Sequence, residues 1–277
     1  MTMKWGKITW LLLILSGVLF ACDGGGNPEP LEELPAQKIY KQAEILLKNN
    51  LNREASDLFS KIERLYPYSK LAKQSLIMSA VANHQGGFYV KSREDSRRYL
   101  DFYPADKNAA RAQYLIALSY YDQIDNVSRD QSVTFEAIQA FRNVIERYPD
   151  SEYSLPALLK FDLSLDHLAG KEMEIGRYYQ KRGHFGAAIA RFRVVVEEFQ
   201  TTSHTPEALH RLVESYLSLG LSANAQTAGA ILGHNFQASD WYKDTYVLLT
   251  GKNLFTEEVD SKGSSWLNAV SYTHLTL

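Results

Sequence analysis

Apolar residues along this chain recur at helical spacing. Tyr40, Ala43, Leu46 and Leu47 share one helix face. A polar turn follows at residues 49–52, and then Ala55, Leu58, Phe59, Ile62 and Leu65 make a second stripe. The pattern of stripe, turn and stripe returns along the chain. A second unit has Leu76, Ala80 and Val81, a Gly86-Gly87 turn, and then Tyr99, Leu100 and Phe102. A third has Tyr114, Ala117, Leu118 and Tyr121, then Ala137, Ile138, Phe141 and Ile145. A later unit has Ala208, Leu212, Tyr216 and Leu219, a Gly220 turn, then Ala225 and Ile231. Each reads as a helical hairpin in which small Ala faces large Tyr or Phe, so that two helices can interlock.

The hairpins close alike. Leu65-Tyr66-Pro67-Tyr68-Ser69, Phe102-Tyr103-Pro104 and Arg147-Tyr148-Pro149-Asp150-Ser151 each pair an aromatic with a helix-stopping proline. The aromatic is expected to seal one helix, and Ser or Asp to cap the next. Glu198-Phe199 followed by Thr201-Thr202-Ser203 repeats this without the proline, and Asn235-Phe236 through Ser239 is a fifth echo. The first four closing aromatics are 37, 45 and 51 residues apart, longer than the tetratricopeptide period of about 34. A polar insert, Ile124 to Gln131, and one uninterrupted helical pattern from Tyr153 to Arg182 account for the excess. The expected fold is all-α: a tetratricopeptide-like helical-hairpin solenoid of about five repeats over residues 35–250. A non-repeating helical bundle is the alternative.

The start of the chain differs. Lys4 and Lys7 precede an apolar run of 13 residues, Ile8 to Phe20, which is short for a membrane span and suits a signal-peptide core. It ends in Leu19-Phe20-Ala21-Cys22, the pattern of bacterial lipoprotein processing, although Phe20 is bulkier than usual there. Cys22 is the one cysteine, so no disulfide can form within the chain. Residues 1–21 are expected to be a signal peptide and 22–34 a lipidated, flexible tether rich in Gly and Pro. Several acyl chains, with palmitate the expected label, would hold Cys22 on a membrane. An ordinary secreted protein cut near Ala21 is the other reading. Without residues 1–21, 28 basic side chains stand against 32 acidic ones, a balance that speaks against a nucleic-acid partner.

No catalytic constellation presents itself. The chain has neither His-Glu-x-x-His nor Gly-x-Ser-x-Gly, and Gly24-Gly25-Gly26 lacks the Lys-Ser/Thr of a phosphate loop. The seven histidines (His84, His167, His184, His204, His210, His234 and His274) are scattered and read as surface or turn residues. No enzyme activity, metal or cofactor is expected. Glu197-Glu198 reads as a solvated pair. Two sets of side chains suggest binding instead. Arg177, Lys181, Arg182, Arg191 and Arg193 surround one hairpin of an otherwise acidic chain and could meet an acidic partner, because arginine's fork pairs with carboxylates. Arg191 follows Ala187, which reads as a small packing residue, by four residues, while Ala188 and Phe192 hold the neighbouring core face, so Arg191 is placed to emerge at the core's edge. Among the 17 tyrosines, most read as core, and a minority could line a peptide groove.

Several stretches carry a family resemblance: Arg147-Tyr148-Pro149-Asp150-Ser151-Glu152-Tyr153; Leu168-Ala169-Gly170-Lys171-Glu172; Gly176-Arg177-Tyr178-Tyr179-Gln180-Lys181-Arg182-Gly183; Ala187-Ala188 with Arg191; and Glu207-Ala208-Leu209 through Tyr216-Leu217-Ser218-Leu219-Gly220-Leu221. Through them the chain resembles the BamD family, also called YfiO, of lipoprotein subunits of the β-barrel assembly machinery. The similarity runs from about Tyr40 to Leu249. It implies five repeats, an anchor at Cys22 on the periplasmic face of the outer membrane, and a scaffold that helps deliver unfolded β-barrel proteins for insertion. It implies BamA's periplasmic domains and other assembly lipoproteins as partners. Arg191 matches the family arginine on the BamA-facing helix, with Arg177, Lys181, Arg182 and Arg193 around it. The first repeats are implicated in receiving substrate, which makes Tyr40, Tyr66, Tyr68, Tyr89, Tyr99 and Tyr103 candidates for the groove. Asp23, after the lipidated cysteine, departs from outer-membrane sorting as enteric bacteria practise it. A repeat lipoprotein of pilus or cell-envelope assembly would share the anchor and the repeats. Residues 251–277 read as a disordered tail, and Ser271 to Leu277 resemble a translated sequencing adapter.

Overall fold

In the computed structural model, residues 34–124 and 131–251 are described. The expected signal peptide, Cys22, all of the tether but Leu34, the tail beyond Gly251 and most of the polar insert lie outside the described residues. The described residues form eleven α-helices: α1 (Ala36–Lys48), α2 (Asn52–Leu65), α3 (Lys70–Gln85), α4 (Tyr89–Phe102), α5 (Ala109–Tyr121), α6 (Ser132–Arg147), α7 (Ser154–Lys181), α8 (Phe185–Glu198), α9 (Thr205–Ser218), α10 (Ser222–Asn235) and α11 (Asp240–Thr250). The architecture is all-α and tetratricopeptide-like. The chain divides within α3 into two compact units, one ending at Ser75 and the other beginning at Leu76.

Repetition shows most clearly in the backbone. Within four hairpins the chain reverses on one residue in the left-handed region: Asn50 (φ 60°), Gly87 (75°), Gly183 (75°) and Gly220 (74°). A side chain there costs roughly 1–2 kcal/mol, so glycine or asparagine is the natural choice. The next residue, Leu51, Phe88, His184 or Leu221, precedes the second helix with φ between −82° and −87° and ψ between 58° and 63°. The hairpins end alike as well. Tyr66, Tyr103, Tyr148, Phe199 and Phe236 each stop a helix with φ between −127° and −135° while the amide still bonds four residues back. The five closing aromatics are therefore one structural position.

In the first unit, α1 and α2 interlock through Ile39, Tyr40 and Ala43 against Ala55, Leu58, Phe59 and Ile62, with Tyr40 edge-on to Phe59 at 5.3 Å. In the second unit, each helix from α4 to α10 packs on the next, and α11 lies over α9 and α10. Tyr99 and Leu76 anchor one core cluster, and Phe141 and Ala117 the next. The largest joins Met173, Phe192, Leu212, Leu232 and Leu249. Two apolar residues depart from the expected stripes. Phe102 is 61% exposed, because the neighbouring Tyr103 does the sealing against Tyr99, and Leu219 is 48% exposed at the hairpin turn. Capping is also more varied than expected. Ser239 accepts from the Trp241 amide at 3.2 Å, but Ser151 donates its hydroxyl to the Tyr148 carbonyl at 2.8 Å.

The long helix α7 has 28 residues and ends at Lys181. Near that end it comes so close to α8 that a Cβ on Gly176 would lie 2.4 Å from Phe192 Cε1. Phe192 is fully buried and cannot withdraw. Gly176→Ala should therefore destabilise the fold by about 1–3 kcal/mol through overpacking. Urea unfolding followed by helical circular dichroism reads this directly, and an unchanged midpoint would contradict the close approach.

Candidate partner-binding site

The hairpin of α7 and α8 carries all five candidate cations. The turn at Gly183 is tied back by the His184 amide, which donates to the Tyr179 carbonyl at 3.0 Å. This fixes where the last turn of α7 points. The Arg182 guanidinium lies 4.4 Å from the centre of the Tyr178 ring, and Tyr178 in turn meets Tyr179 edge-on at 5.6 Å. Tyr178 is 51% exposed. A guanidinium on an exposed aromatic face is a cation–π pair whose other surfaces are open to a partner. Lys181, beside it, is exposed and has no ion pair among the described residues.

Arg191 is on α8 and exposed. Its Nη1 donates to Glu172 Oε2 on α7 at 3.1 Å. Ala187 is exposed too, so it is not the packing residue that the sequence reading made of it. Ala188 and Phe192 fill the core, as expected, and Arg191 stands on the solvent side of α8. A pair this exposed contributes about 0–1 kcal/mol to stability. It uses one of the five guanidinium N–H groups and leaves the rest for another acceptor.

The other two cations have carboxylates of their own. Arg193 bonds Glu197 one turn on, at 2.6 and 2.9 Å. Arg177 Nη1 reaches Glu207 Oε2 on α9 at 3.0 Å and opens a ladder of polar contacts along that helix. Arg211 Nε lies 3.4 Å from Glu207 and its Nη1 donates to Glu214 at 2.8 Å. Gln180 on α7 donates to Glu214 at 3.1 Å. At the far side of Glu214, His210 Nε2 lies 3.5 Å away, while His210 Nδ1 is 2.7 Å from Thr245 Oγ1 on α11. The ladder thus joins three helices. His210 is 6% exposed and faces Trp241 at 5.2 Å, a correction to its reading as a surface or turn residue. Pro206 sits in the first turn of α9, where a missing amide costs nothing, so the helix runs straight on to His210. The sequence alone gave no sign that α11 would cover this histidine.

Of the six groove tyrosines, Tyr40 and Tyr99 are buried in their hairpins and line no surface. The ring volume that makes a tyrosine useful to a ligand is the same volume that fills an Ala-rich hairpin. The Tyr99 hydroxyl donates to Asp106 Oδ1 at 2.5 Å and the Tyr66 hydroxyl to the Leu34 carbonyl at 2.6 Å. Tyr89 meets His84 edge-on at 5.6 Å, Tyr103 lies against Tyr99, and Tyr68 is fully exposed. Among the described residues no group of three or more His, Cys, Asp or Glu could hold a metal ion, and no helix is long and apolar enough to cross a membrane.

Burial by itself would raise the Glu214 carboxyl. The hydrogen bonds from His210 and Arg211 outweigh it and hold the group at about 2. A depressed carboxylate adds stability above its unfolded value and loses it as pH falls through the folded value. Stability should therefore decline as pH is lowered from about 5 towards 2, by about 1 kcal/mol for this group once solvent screening is allowed for. Glu214→Gln should flatten that part of the profile in thermal melts across this range. An unchanged slope would mean that the ladder carries no charge-dependent stability.

The chain is similar to known proteins over most of its length. A family model described as outer membrane lipoprotein, YfiO, matches residues 32–231. The outer membrane protein assembly factor BamD of Caulobacter vibrioides is 43% identical over 250 residues, covering 89% of this chain and 82% of its own. That of Rickettsia prowazekii is 38% identical over 247 residues, covering 89% and 98%. Among solved structures, a thermophilic tetratricopeptide-repeat protein of Thermus thermophilus covers 79% of this chain and all of its own, at 17% identity with a TM-score of 0.36.

Proposed function

The chain belongs to the YfiO family of outer membrane lipoproteins, and we propose from this that it works as an outer membrane protein assembly factor: a scaffold held at the membrane by lipid on Cys22. One observation carries the reading: the family match spans residues 32–231, which takes in α1 to α9, most of α10 and the whole of the α7–α8 site. The relatives are named as assembly factors, a role that needs no chemical step. They lend nothing to a role in pilus or general cell-envelope assembly.

Within that role, the exposed edge of α7 and α8 is the docking surface for BamA. Tyr178 with Arg182, Lys181 and Arg191 offer an aromatic face and three cations that have no ion pair among the described residues apart from the exchangeable Arg191–Glu172 pair. Arg177 serves the edge from behind by tying α7 to α9 through Glu207, and Arg193 is engaged within α8 by Glu197. A carboxylate of BamA that displaces Glu172 gains Arg191's remaining donors. Truncating one partner of such a pair once it is desolvated costs roughly 2–5 kcal/mol of binding.

Arg191→Glu should therefore leave thermal stability within about 1 kcal/mol of the wild type and abolish co-purification with BamA, with partial recovery when an acidic residue on BamA is reversed. If the variant melts markedly earlier but binds BamA normally, Arg191 only braces its own hairpin. The anchor is tested separately. Cys22→Ala should abolish labelling by radioactive palmitate and release the protein from the membrane fraction, and a mutant that still takes up label refutes the assignment of Cys22.

A further inference from the structure

The long helix α7 outruns its neighbour α8. Its second half is matched: Met173 and Gly176 are buried there, with Gly176 against Phe192 of α8. The loop between α8 and α9 then crosses α7 at Asp166, which accepts from the Ser203 amide at 3.0 Å and from its hydroxyl at 2.7 Å. Leu155 and Leu158 precede Met173 and Gly176 by eighteen residues, five turns of an α-helix, and so lie on the same side of it. Yet Met173 is fully buried, whereas Leu155 is 65% exposed and Leu158 42%. Leu159 and Leu163 continue the stripe, at 58% and 53%. Among the described residues, the track that α8 occupies is thus left open along the first half of α7. Single exposed apolar residues are ordinary, but four in one stripe mark a contact surface.

Asp162 stands within this stripe, one turn beyond Leu158 and Leu159, and is exposed. It has no ion pair among the described residues, and its apolar surroundings push the carboxyl upward with no cation to offset them. The one lysine or arginine of residues 154–166, Lys160, is turned to another side, with Nζ 4.1 Å from the centre of the Tyr121 ring. We propose that Leu155, Leu158, Leu159 and Leu163 receive an amphipathic helix of a partner protein, one that carries a lysine or arginine beside its apolar stripe. A helix fits because it continues the track of α8. The open stretch from Ser154 to Leu165 is about 18 Å long, room for roughly three turns, and a helix of that length presents its anchors at the same three- and four-residue spacing as the leucines. Charge decides whose helix it is. Covering the leucines also desolvates Asp162, and an unpaired carboxylate in an apolar contact is costly, so the occupant has to bring a cation. A second copy of this chain, placed by a two-fold axis, brings another Asp162 and, from residues 154–166, only the engaged Lys160. A lipid surface buries the carboxylate unpaired. The stripe is also separate from the cationic edge, since Leu159 and Lys181 are about 33 Å apart along α7.

The test uses the full lipidated chain in phosphatidylcholine nanodiscs and fluorescently labelled, stapled helical peptides read by anisotropy. One peptide carries a leucine stripe with lysines beside it, a second has glutamates in the lysine positions, and a third has serines in place of the leucines. The lysine peptide should bind, and the other two should bind about tenfold more weakly or not at all. Asp162→Lys should invert the preference, so that the glutamate peptide binds better than the lysine peptide. Leu155→Ser combined with Leu159→Ser should weaken the lysine peptide about tenfold while the melting temperature holds, since both side chains are exposed. That double variant should still co-purify with BamA, which separates this stripe from the cationic edge. Binding that is indifferent to Asp162→Lys or to the loss of the two leucines overturns the proposal, as does a wild-type chain that binds none of the peptides. Loss of BamA from the double variant would assign the leucines to the BamA contact instead. Concentration-dependent dimers of the detergent-solubilised chain in sedimentation, dissolved by Leu159→Ser, would assign the face to a second copy and overturn the proposal equally.

Discussion

Between α7 and α8 the chain has to turn back within three residues, and Gly183, at φ 75°, makes that possible. The candidate site depends on this reversal. It brings α8 onto α7 closely enough that Phe192 sits against the bare Cα of Gly176, and that contact sets the height of one helix against the other. With the height set, Arg191 is opposite Glu172, and Lys181 and Arg182 are left at the turn with Tyr178 beneath the guanidinium. The same backbone device at Asn50, Gly87 and Gly220 explains how one hairpin design could be repeated while the exposed side chains diverged.

Much of the fold was legible because helical packing leaves a local record. Ala opposite an aromatic, a turn residue that tolerates positive φ, and an aromatic at the helix end all lie within one hairpin, so periodicity finds them. Phe102 and Leu219 escaped that logic. Each is an apolar residue at a helix end, where the last turn splays and one position's change in angle decides between core and solvent.

The site was legible only as a set of charges. Five cations around one hairpin could be read from the sequence, but most of the partner carboxylates could not, because Glu172, Glu207 and Glu214 acquire their roles through contacts between helices, whereas Glu197 pairs with Arg193 one turn away on the same helix. His210 shows the limit most clearly. Its burial depends on α11, more than thirty residues onward, and on a bond to Thr245 that no local pattern encodes. The tyrosines err in the opposite direction. Tyr40 and Tyr99 have the chemistry of a binding groove and the burial of a core.

The second unit presents one edge, at the α7–α8 hairpin, that is cationic and aromatic and suited to a folded acidic partner. The most direct measurement is depletion of this protein from the bacterium that makes it, followed by gel mobility of outer membrane barrel proteins before and after heating, which separates folded from unfolded barrels. The account predicts that folded barrels fall steeply in the outer membrane while unfolded chains accumulate in the periplasm. Undiminished folded barrels after full depletion would contradict it.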